Sequence, residues 1–318
     1  MGYDTFPVPG REVLANDFRM VLGSASAICA TGLARLENQV RFAGIVGKDY
    51  WGEFCLNVLR AERVDVSAVR TITGMKTGVT VSISNACDRA LITFPGTITA
   101  LRASDISNGL LQSADHLHIS SYFLQAGLRG GCRDLLERAR QLGLTSSLDP
   151  GCDPTEQWNP KVLELLPLVD LFLPNEVELA ALTKKHDVAD ALRVLDNGHT
   201  ITVAKLGPRG AATRVSGQVI SQPALNIRCV DTTGAGDSFN AGFLHMWLQR
   251  APVADALLFA CACGALSTQA PGGIAGQPSL DQVQAFLVQS RAASPGPSMD
   301  RREAHPDWRD CFPGRRRQ

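Results

Sequence analysis

Residues 231–237 read Asp231-Thr232-Thr233-Gly234-Ala235-Gly236-Asp237, two carboxylates bracketing two threonines and then three residues with almost no side chain. The run Asn226-Ile227-Arg228-Cys229-Val230 before them is strand-like, and Phe239, Phe243, Met246 and Trp247 after them recur at helical spacing. The small residues therefore sit where a strand gives way to a helix. The first N–H groups of a helix have no partner within it, and the macrodipole adds positive charge there, so such a turn binds anions. Gly234, Ala235 and Gly236 let a phosphate approach those amides closely. Asp237 would then be a second anion beside the phosphate, a costly place unless it has a chemical task. Taking the proton from an attacking hydroxyl is such a task. The structural alternative is a small-residue turn whose Asp237 complements the helix dipole.

Other segments offer polar groups at the ends of apolar runs. Asn175 and Glu178 follow Leu171-Phe172-Leu173-Pro174 and lie three apart, on one face of a helix beginning there. A carboxylate with an amide suits a hydrated Mg²⁺, and the same spacing equally suits a capping box. In Ala204-Lys205-Leu206-Gly207-Pro208-Arg209-Gly210 the two glycines allow backbone approach to phosphate or ribose, and Lys205 supplies charge; a hairpin turn into residues 211–215 explains the glycines as well. Leu22-Gly23-Ser24-Ala25-Ser26-Ala27 opens a small-residue helix that either packs closely or holds a hydroxylated ligand. Gly47 permits a positive-φ turn, and Asp49 caps the helix that follows. His116 and His118 lie on one strand, as core residues or as contacts at its end.

The heptad, together with Asp237-Ser238-Phe239-Asn240-Ala241-Gly242, resembles the second signature of the ribokinase-like (PfkB-type) carbohydrate kinases, and the likeness runs from about Phe6 to Phe286. The resemblance implies ATP-dependent phosphorylation of a sugar hydroxyl. Gly234, Ala235 and Gly236 become the anion hole, Asp237 the base, and Thr232 a neighbour of the nucleotide. Asn175-x-x-Glu178 matches the family's Mg²⁺ motif, with Glu178 acting through water. Lys205, Gly207 and Gly210 match its ATP loop, and Pro271-Gly272-Gly273 would be the adenine-side loop. Gly23, Ser24 and Ala25 fall on the sugar-binding first signature, although Leu22 and Ala27-Ile28 depart from its Gly and Asn. Gly47 and Asp49 fall on a Gly-x-Asp-x-x-Gly turn beside the sugar, and Ser120, Ser121 and Tyr122 end a strand near it; Asp149 and Asp153 either face that pocket as well or serve an Asp-Pro-Gly turn. In many relatives a monovalent cation, K⁺ for example, binds carbonyls near the anion hole, which here involves Asp231 and Thr233. The acceptor stays open among sugar, sugar acid and nucleoside. A nucleoside kinase of the same fold, or a weakened nucleotide- or sugar-binding protein, are the alternative readings.

The elements that must position these groups follow from the pattern of the whole chain. It has 318 residues, 45% of them hydrophobic, and Lys+Arg 31 balances Asp+Glu 31, so no global field draws it to nucleic acid or membrane. The expected partner is a small molecule. Nine cysteines without paired Cys-x-x-Cys spacing, and no signal peptide, read as reduced thiols in a cytoplasm; Cys261-x-Cys263 lies in a small-residue helical run and reads as packing.

Strands are expected at 41–46, 116–120, 144–148, 171–173 and 200–205, and helices at 52–62, 128–142, 176–183 and 188–196. This alternation predicts a three-layer α/β/α sandwich. The runs 77–84 and 90–94, joined by Asn85-Ala86-Cys87-Asp88-Arg89, predict a hairpin with one polar face (Thr80, Ser82, Ser84). It corresponds to the family's β lid, about 72–95, often a homodimer surface. The resemblance implies one kinase domain over residues 1–291, and the composition predicts a disordered basic tail at 292–318. Relatives begin with a central strand whose Asp binds the sugar, upstream of a Phe-Pro-x-Pro-Gly stretch. Here Phe6-Pro7-Val8-Pro9-Gly10 comes five residues after Met1 and Asp4 is too close to it, so that strand and its Asp are expected to be missing and the natural chain to begin earlier.

Overall fold

The computed structural model describes residues 9, 10, 12–84 and 89–293. Asp4, the Phe6-Pro7-Val8 stretch, the tip of the expected lid and the expected tail beyond residue 293 lie outside them. Along the chain come α1 (Ala25–Arg35), β1 (Gly44–Gly47), α2 (Tyr50–Ala61), β2 (Val69–Ile72), β3 (Val79–Ser84) and β4 (Arg89–Phe94). Then follow α3 (Asn108–Gln112), β5 (His116–Ile119), α4 (Ala126–Arg129), α5 (Cys132–Gln141), β6 (Thr145–Leu148), β7 (Leu171–Phe172), α6 (Glu176–Thr183) and α7 (Val188–Leu195). The chain closes with β8 (Ile201–Lys205), β9 (Ala211–Val215), β10 (Gln218–Gln222), α8 (Ala235–Leu248), α9 (Val253–Ser267) and α10 (Leu280–Ala293).

A six-stranded sheet in the order β10-β9-β8-β7-β6-β5 is the middle layer. β5 to β8 are parallel, whereas β9 and β10 return antiparallel through tight turns. Alternate strand residues feed two cores on opposite faces, as a period-2 pattern requires. Leu148, Phe172 and Ala204 pack with α5, α6 and α7 on one side. Leu171, Leu173, Ile201 and Val203 pack with α8 and α9 on the other. The expected three-layer α/β/α sandwich is what the chain forms. The expected single helix over 128–142 is two, α4 and α5, interrupted at Gly130-Gly131. There a Cβ on Gly131 would stand 2.6 Å from the Ala103 Cβ, so close packing, added to the poor helix propensity of glycine, breaks the run.

Two smaller sheets flank this one. β1 and β2 pair in parallel as a separate ribbon, and no described strand joins β1 to β5. β3 and β4 form the expected hairpin, with Thr80 and Thr93 hydroxyls 3.0 Å apart on the polar face. Its apolar face is uncovered: Val81, Ile92 and Phe94 are all exposed. α1 stands between the ribbon and the main body, its Ala27 and Ala30 packing against Leu22, Leu59 and Val64.

Candidate active site

The turn at residues 231–236 is held by tertiary contacts rather than by a preceding strand. The expected strand-like run before it is irregular. Pro223 has no N–H with which to continue β10, and the amides of Val230 and Asp231 instead donate to the Thr268 carbonyl at the end of α9, at 2.8 and 3.0 Å. Gly234 caps α8 with φ 73°, and a Cβ there would stand 2.8 Å from the Gly273 carbonyl and 3.0 Å from Ile28 Cγ2. Only glycine fits. The Asp231 carboxylate accepts from the Thr233 amide and the Gly272 amide, each at 2.8 Å, pinning the turn to the 271–273 loop. Ala235 N–H donates to the Thr232 carbonyl and Ser238 N–H to that of Gly234, leaving the Gly236 and Asp237 amides without an acceptor among the described residues. A Cβ on Gly236 would meet only the Lys205 side chain, at 3.8 Å. Protein packing does not require a glycine there.

Asp237 lies on the first turn of α8 and faces a cluster of charges drawn from four elements. Lys205, the last residue of β8, donates to Asp149 Oδ2 at 2.7 Å and to Asn240 Oδ1 at 3.2 Å, and Asn240 Nδ2 donates to the same Asp149 oxygen. Burial pushes the Asp237 carboxyl up to about 7, and the negative charge of Asp149 adds to that while Lys205 opposes it. Burial likewise raises Glu178 to about 7, helped by Asp149. Burial alone would raise Asp149 as well, but the Lys205 ammonium and the Asn240 amide outweigh it and hold that carboxyl below its usual range. Three carboxylates thus surround one ammonium.

Asn175 and Glu178 realise the capping alternative in full. Asn175 Oδ1 accepts from the Glu178 amide at 2.9 Å, and Glu178 Oε2 accepts from the Asn175 amide at 2.9 Å. Asn175 Nδ2 also donates to Glu178 Oε1 at 2.7 Å. Glu178 is buried, and that burial, helped by the Asp149 charge, raises its proton affinity. Gly207 and Gly210 form the turn between β8 and β9, with φ 56° and 94°. The Leu206 amide donates to the Gly210 carbonyl, and a Cβ on Gly210 would collide with the Gln222 carbonyl, so its glycine is structural. The ammonium of Lys205, next to that turn, points into the Asp149 cluster.

The residues expected around the sugar do not all converge. Gly23 and Ser24 lead into α1, with Ser24 as N-cap at φ 69° and Ala25 as first helical residue; Ile28, one turn on, touches Gly234 and Gly273, so this helix start adjoins the anion turn. Gly47 is not at positive φ, contrary to expectation. A Cβ there would stand 2.4 Å from the Met75 carbonyl, so it is close approach that demands glycine. Asp49 caps α2 by accepting from Gly52 N–H at 2.8 Å, and it also accepts from the amide and hydroxyl of Thr77 at 2.8 and 2.7 Å. Both oxygens thereby tie α2 to the base of the β3–β4 hairpin. Asp49→Ala is expected to lose ~1–2 kcal/mol of stability from the cap, read as a lower urea midpoint.

Tyr122 packs in the core beneath α5, on the layer opposite α8, because the chain reverses at Ser121 (φ 51°). It is remote in layer from Asp237. Asp153 spends its oxygens on Thr155 and Trp158. His116 and His118 share the Ser147 hydroxyl at 2.7 Å each, and burial lowers them to about 3 and about 4. Both are neutral core residues at pH 7. Cys261 and Cys263 are buried in α9, and Cys263 lies against Gly242 of α8. Asn240 was the residue that motif reading passed over. Its signal was present: three positions after Asp237, it shares that helix face.

A family model described as pfkB family carbohydrate kinase matches residues 3–280. The chain belongs to that family and is a carbohydrate kinase. It is 30% identical over 286 residues to the ATP-dependent ribose-1-phosphate kinase of Halopiger xanaduensis, covering 89% of this chain and 92% of that protein. To the fructokinase of Klebsiella pneumoniae it is 30% identical over 282 residues, with 83% and 91% covered. The structure of fructokinase from Vibrio cholerae O395, in fructose-, ADP- and calcium-bound form, superposes with TM-score 0.74 at 25% identity, covering 90% of this chain and 96% of the other. No helix among the described residues of this kinase is long and apolar enough to cross a membrane.

Proposed function

We propose that this kinase transfers the γ-phosphoryl group of ATP to a hydroxyl of a small sugar or sugar derivative. Asp237 takes the hydroxyl proton as the acceptor oxygen forms its bond to phosphorus and the bond from phosphorus to the ADP oxygen breaks. The single observation that carries this is Asp237 on the first turn of α8, its carboxyl raised to about 7 beside amides that have no acceptor among the described residues. A base with that affinity is matched to neutral pH. The Gly234-Ala235-Gly236 turn stabilises charge on the transferring group. Asp231 and Thr233 keep the turn in place through their mutual hydrogen bond, and their carbonyls are where a monovalent cation such as K⁺ would act.

The donor set fits a divalent cation. Asp149, Glu178 and Asp237 leave a buried excess of negative charge around Lys205. Mg²⁺ usually keeps several waters and takes one or two carboxylates plus substrate phosphates rather than an all-protein cage. Bound there, Mg²⁺ supplies charge neutralisation between the nucleotide phosphates. Glu178 would hold its water shell, Asn175 would hold Glu178, and Gly207, Gly210, Thr232 and Gly273 would line the nucleotide. Gly23, Ser24 and Ala25, at the start of the helix that adjoins the anion turn, would meet the acceptor. The exposed apolar face of the β3–β4 hairpin suits a homodimer surface.

The named relatives act on different acceptors, so the acceptor must be measured. Mg²⁺- and ATP-dependent ADP release across ketoses, aldoses, sugar acids, sugar phosphates and nucleosides is expected to single out one class, with no release in Asp237→Asn. Equal release from wild type and that variant would overturn the assignment of the base.

A further inference from the structure

Lys205 keeps its charge in this place because the carboxylates of Asp149, Glu178 and Asp237 outweigh the cost of desolvation. Its Nζ lies 3.8 Å from where a methyl group on Gly236 would project, beside the N-terminal turn of α8. That turn carries the positive end of the helix dipole, so ammonium and helix end repel each other. The lysine stays because Asp149, just past the end of β6, and Asn240, on α8, close a triangle around it: Lys205 to Asp149 at 2.7 Å, Lys205 to Asn240 at 3.2 Å, and Asn240 back to Asp149. The amide of Asn240 is thereby fixed, with its oxygen on the ammonium and its nitrogen on the carboxylate. Two of the three N–H donors of Lys205 are taken, and the third has no acceptor among the described residues. Asp149 is buried and Lys205 nearly so, with side chains 7% and 12% exposed, so water screens the pair less than it would at the surface.

We propose that Asp149 and Asn240 are positioning residues that hold the Lys205 ammonium beside the α8 anion hole, so that Lys205 and the Gly236 and Asp237 amides together grip the phosphoryl group in flight. This inference rests on the kinase reading. A lysine stem is flexible and delivers a point charge; the triangle selects one rotamer of it before the nucleotide arrives, which is preorganisation. The other charged and titratable groups facing this cluster are Asp237 on α8, Glu178 on α6, His118 on β5 and Cys29 on α1. None of them is a cation at pH 7, His118 being neutral, so Lys205 is the group in this cluster that can add positive charge to the transferring oxygens.

The test uses the full chain and a phosphoryl mimic, so that it needs no known acceptor. Calorimetry measures Mg²⁺–ADP binding with and without fluoroaluminate in wild type, Lys205→Met, Lys205→Arg, Asp149→Asn and Asp149→Asn/Lys205→Met. Wild type is expected to bind ADP more tightly with fluoroaluminate. Lys205→Met is expected to lose ~10²–10³-fold of that enhancement, a larger loss than it causes in the binding of ADP alone, with part of the loss restored in Lys205→Arg. Asp149→Asn is expected to lose about tenfold to about 10²-fold. The double variant should match Lys205→Met alone, because Asp149 acts through the lysine.

Losses that multiply in the double variant would overturn the proposal, as would an enhancement indifferent to Lys205→Met, or wild type that binds ADP and gains nothing from fluoroaluminate. Asp149→Asn leaves a buried ammonium unpaired and is the variant at risk of unfolding. The double variant removes both charges and keeps the comparison with Lys205→Met decisive. Absence of ADP binding in folded wild type would instead sink the kinase reading itself.

Discussion

Replacing Asp237 by Asn is expected to lower kcat by ~10²–10⁴-fold, the usual worth of a positioned general base. The amide keeps the shape and one acceptor oxygen but cannot take a proton at neutral pH. KM for ATP should stay within about twofold, because the base acts on the acceptor hydroxyl and only in the transition state. The wild-type pH profile carries the same information. Burial and the Asp149 charge raise the Asp237 carboxyl to about 7, and a base works only when deprotonated, so kcat/KM should fall as pH drops below about 7. Residual activity in Asp237→Asn should lack that limb.

Stability should move the opposite way. The folded protein holds this proton up to about 7 whereas an unfolded Asp releases it near ~3.9. Stability contributed by the protonated group is therefore full below the unfolded pKa and is lost as pH rises through about 7. Urea unfolding at pH 8 should find Asp237→Asn more stable than wild type, with the gap closing towards pH 4. No gap at pH 8 would mean that the carboxyl is solvated and ordinary.

The glycines of the anion turn should separate into one that the fold needs and one that the chemistry needs. Gly236→Ala is expected to keep its unfolding midpoint, since the new methyl would meet only Lys205 at 3.8 Å. Its kcat should nevertheless fall by ~10²–10³-fold, because the methyl stands in the path of a group approaching the Gly236 and Asp237 amides. Gly234→Ala should fail differently. Its φ of 73° and a Cβ 2.8 Å from the Gly273 carbonyl put the strain in the backbone, so ~1–3 kcal/mol of stability should go along with activity. Thermal unfolding with initial rates on the two variants distinguishes these outcomes. A fully active Gly236→Ala would remove the anion hole from the mechanism.

Local chemistry made much of this legible in the sequence. A glycine that must take positive φ, an Asn three residues before a Glu, and period-2 apolar runs between period-3.6 ones each act within a few residues. The start of α8, the α6 cap and the alternation of layers could therefore be read without coordinates. The same local reading misjudged what neighbours decide. Gly47 needs no positive φ but lies against Met75, and the run before the anion turn pairs with the end of α9 rather than with a strand.

What the sequence by itself determined is the existence and order of the elements and the small-residue turn that starts α8 with Asp237 on its first turn. Only the tertiary structure decided which side chains share the site. Asp149 and Lys205 are 56 positions apart, and Asp149 and Asn240 are 91 apart. Nothing in their spacing pairs them. Parallel strands bring the ends of β6 and β8 to one edge of the sheet, and α8 packs across the same face, so three distant residues meet. Tyr122 shows the reverse: one left-handed residue at Ser121 turned the strand-end side chain into the other layer. The Tyr122 side chain lies in the core cluster that includes α5, a placement that depends on residues distant in sequence.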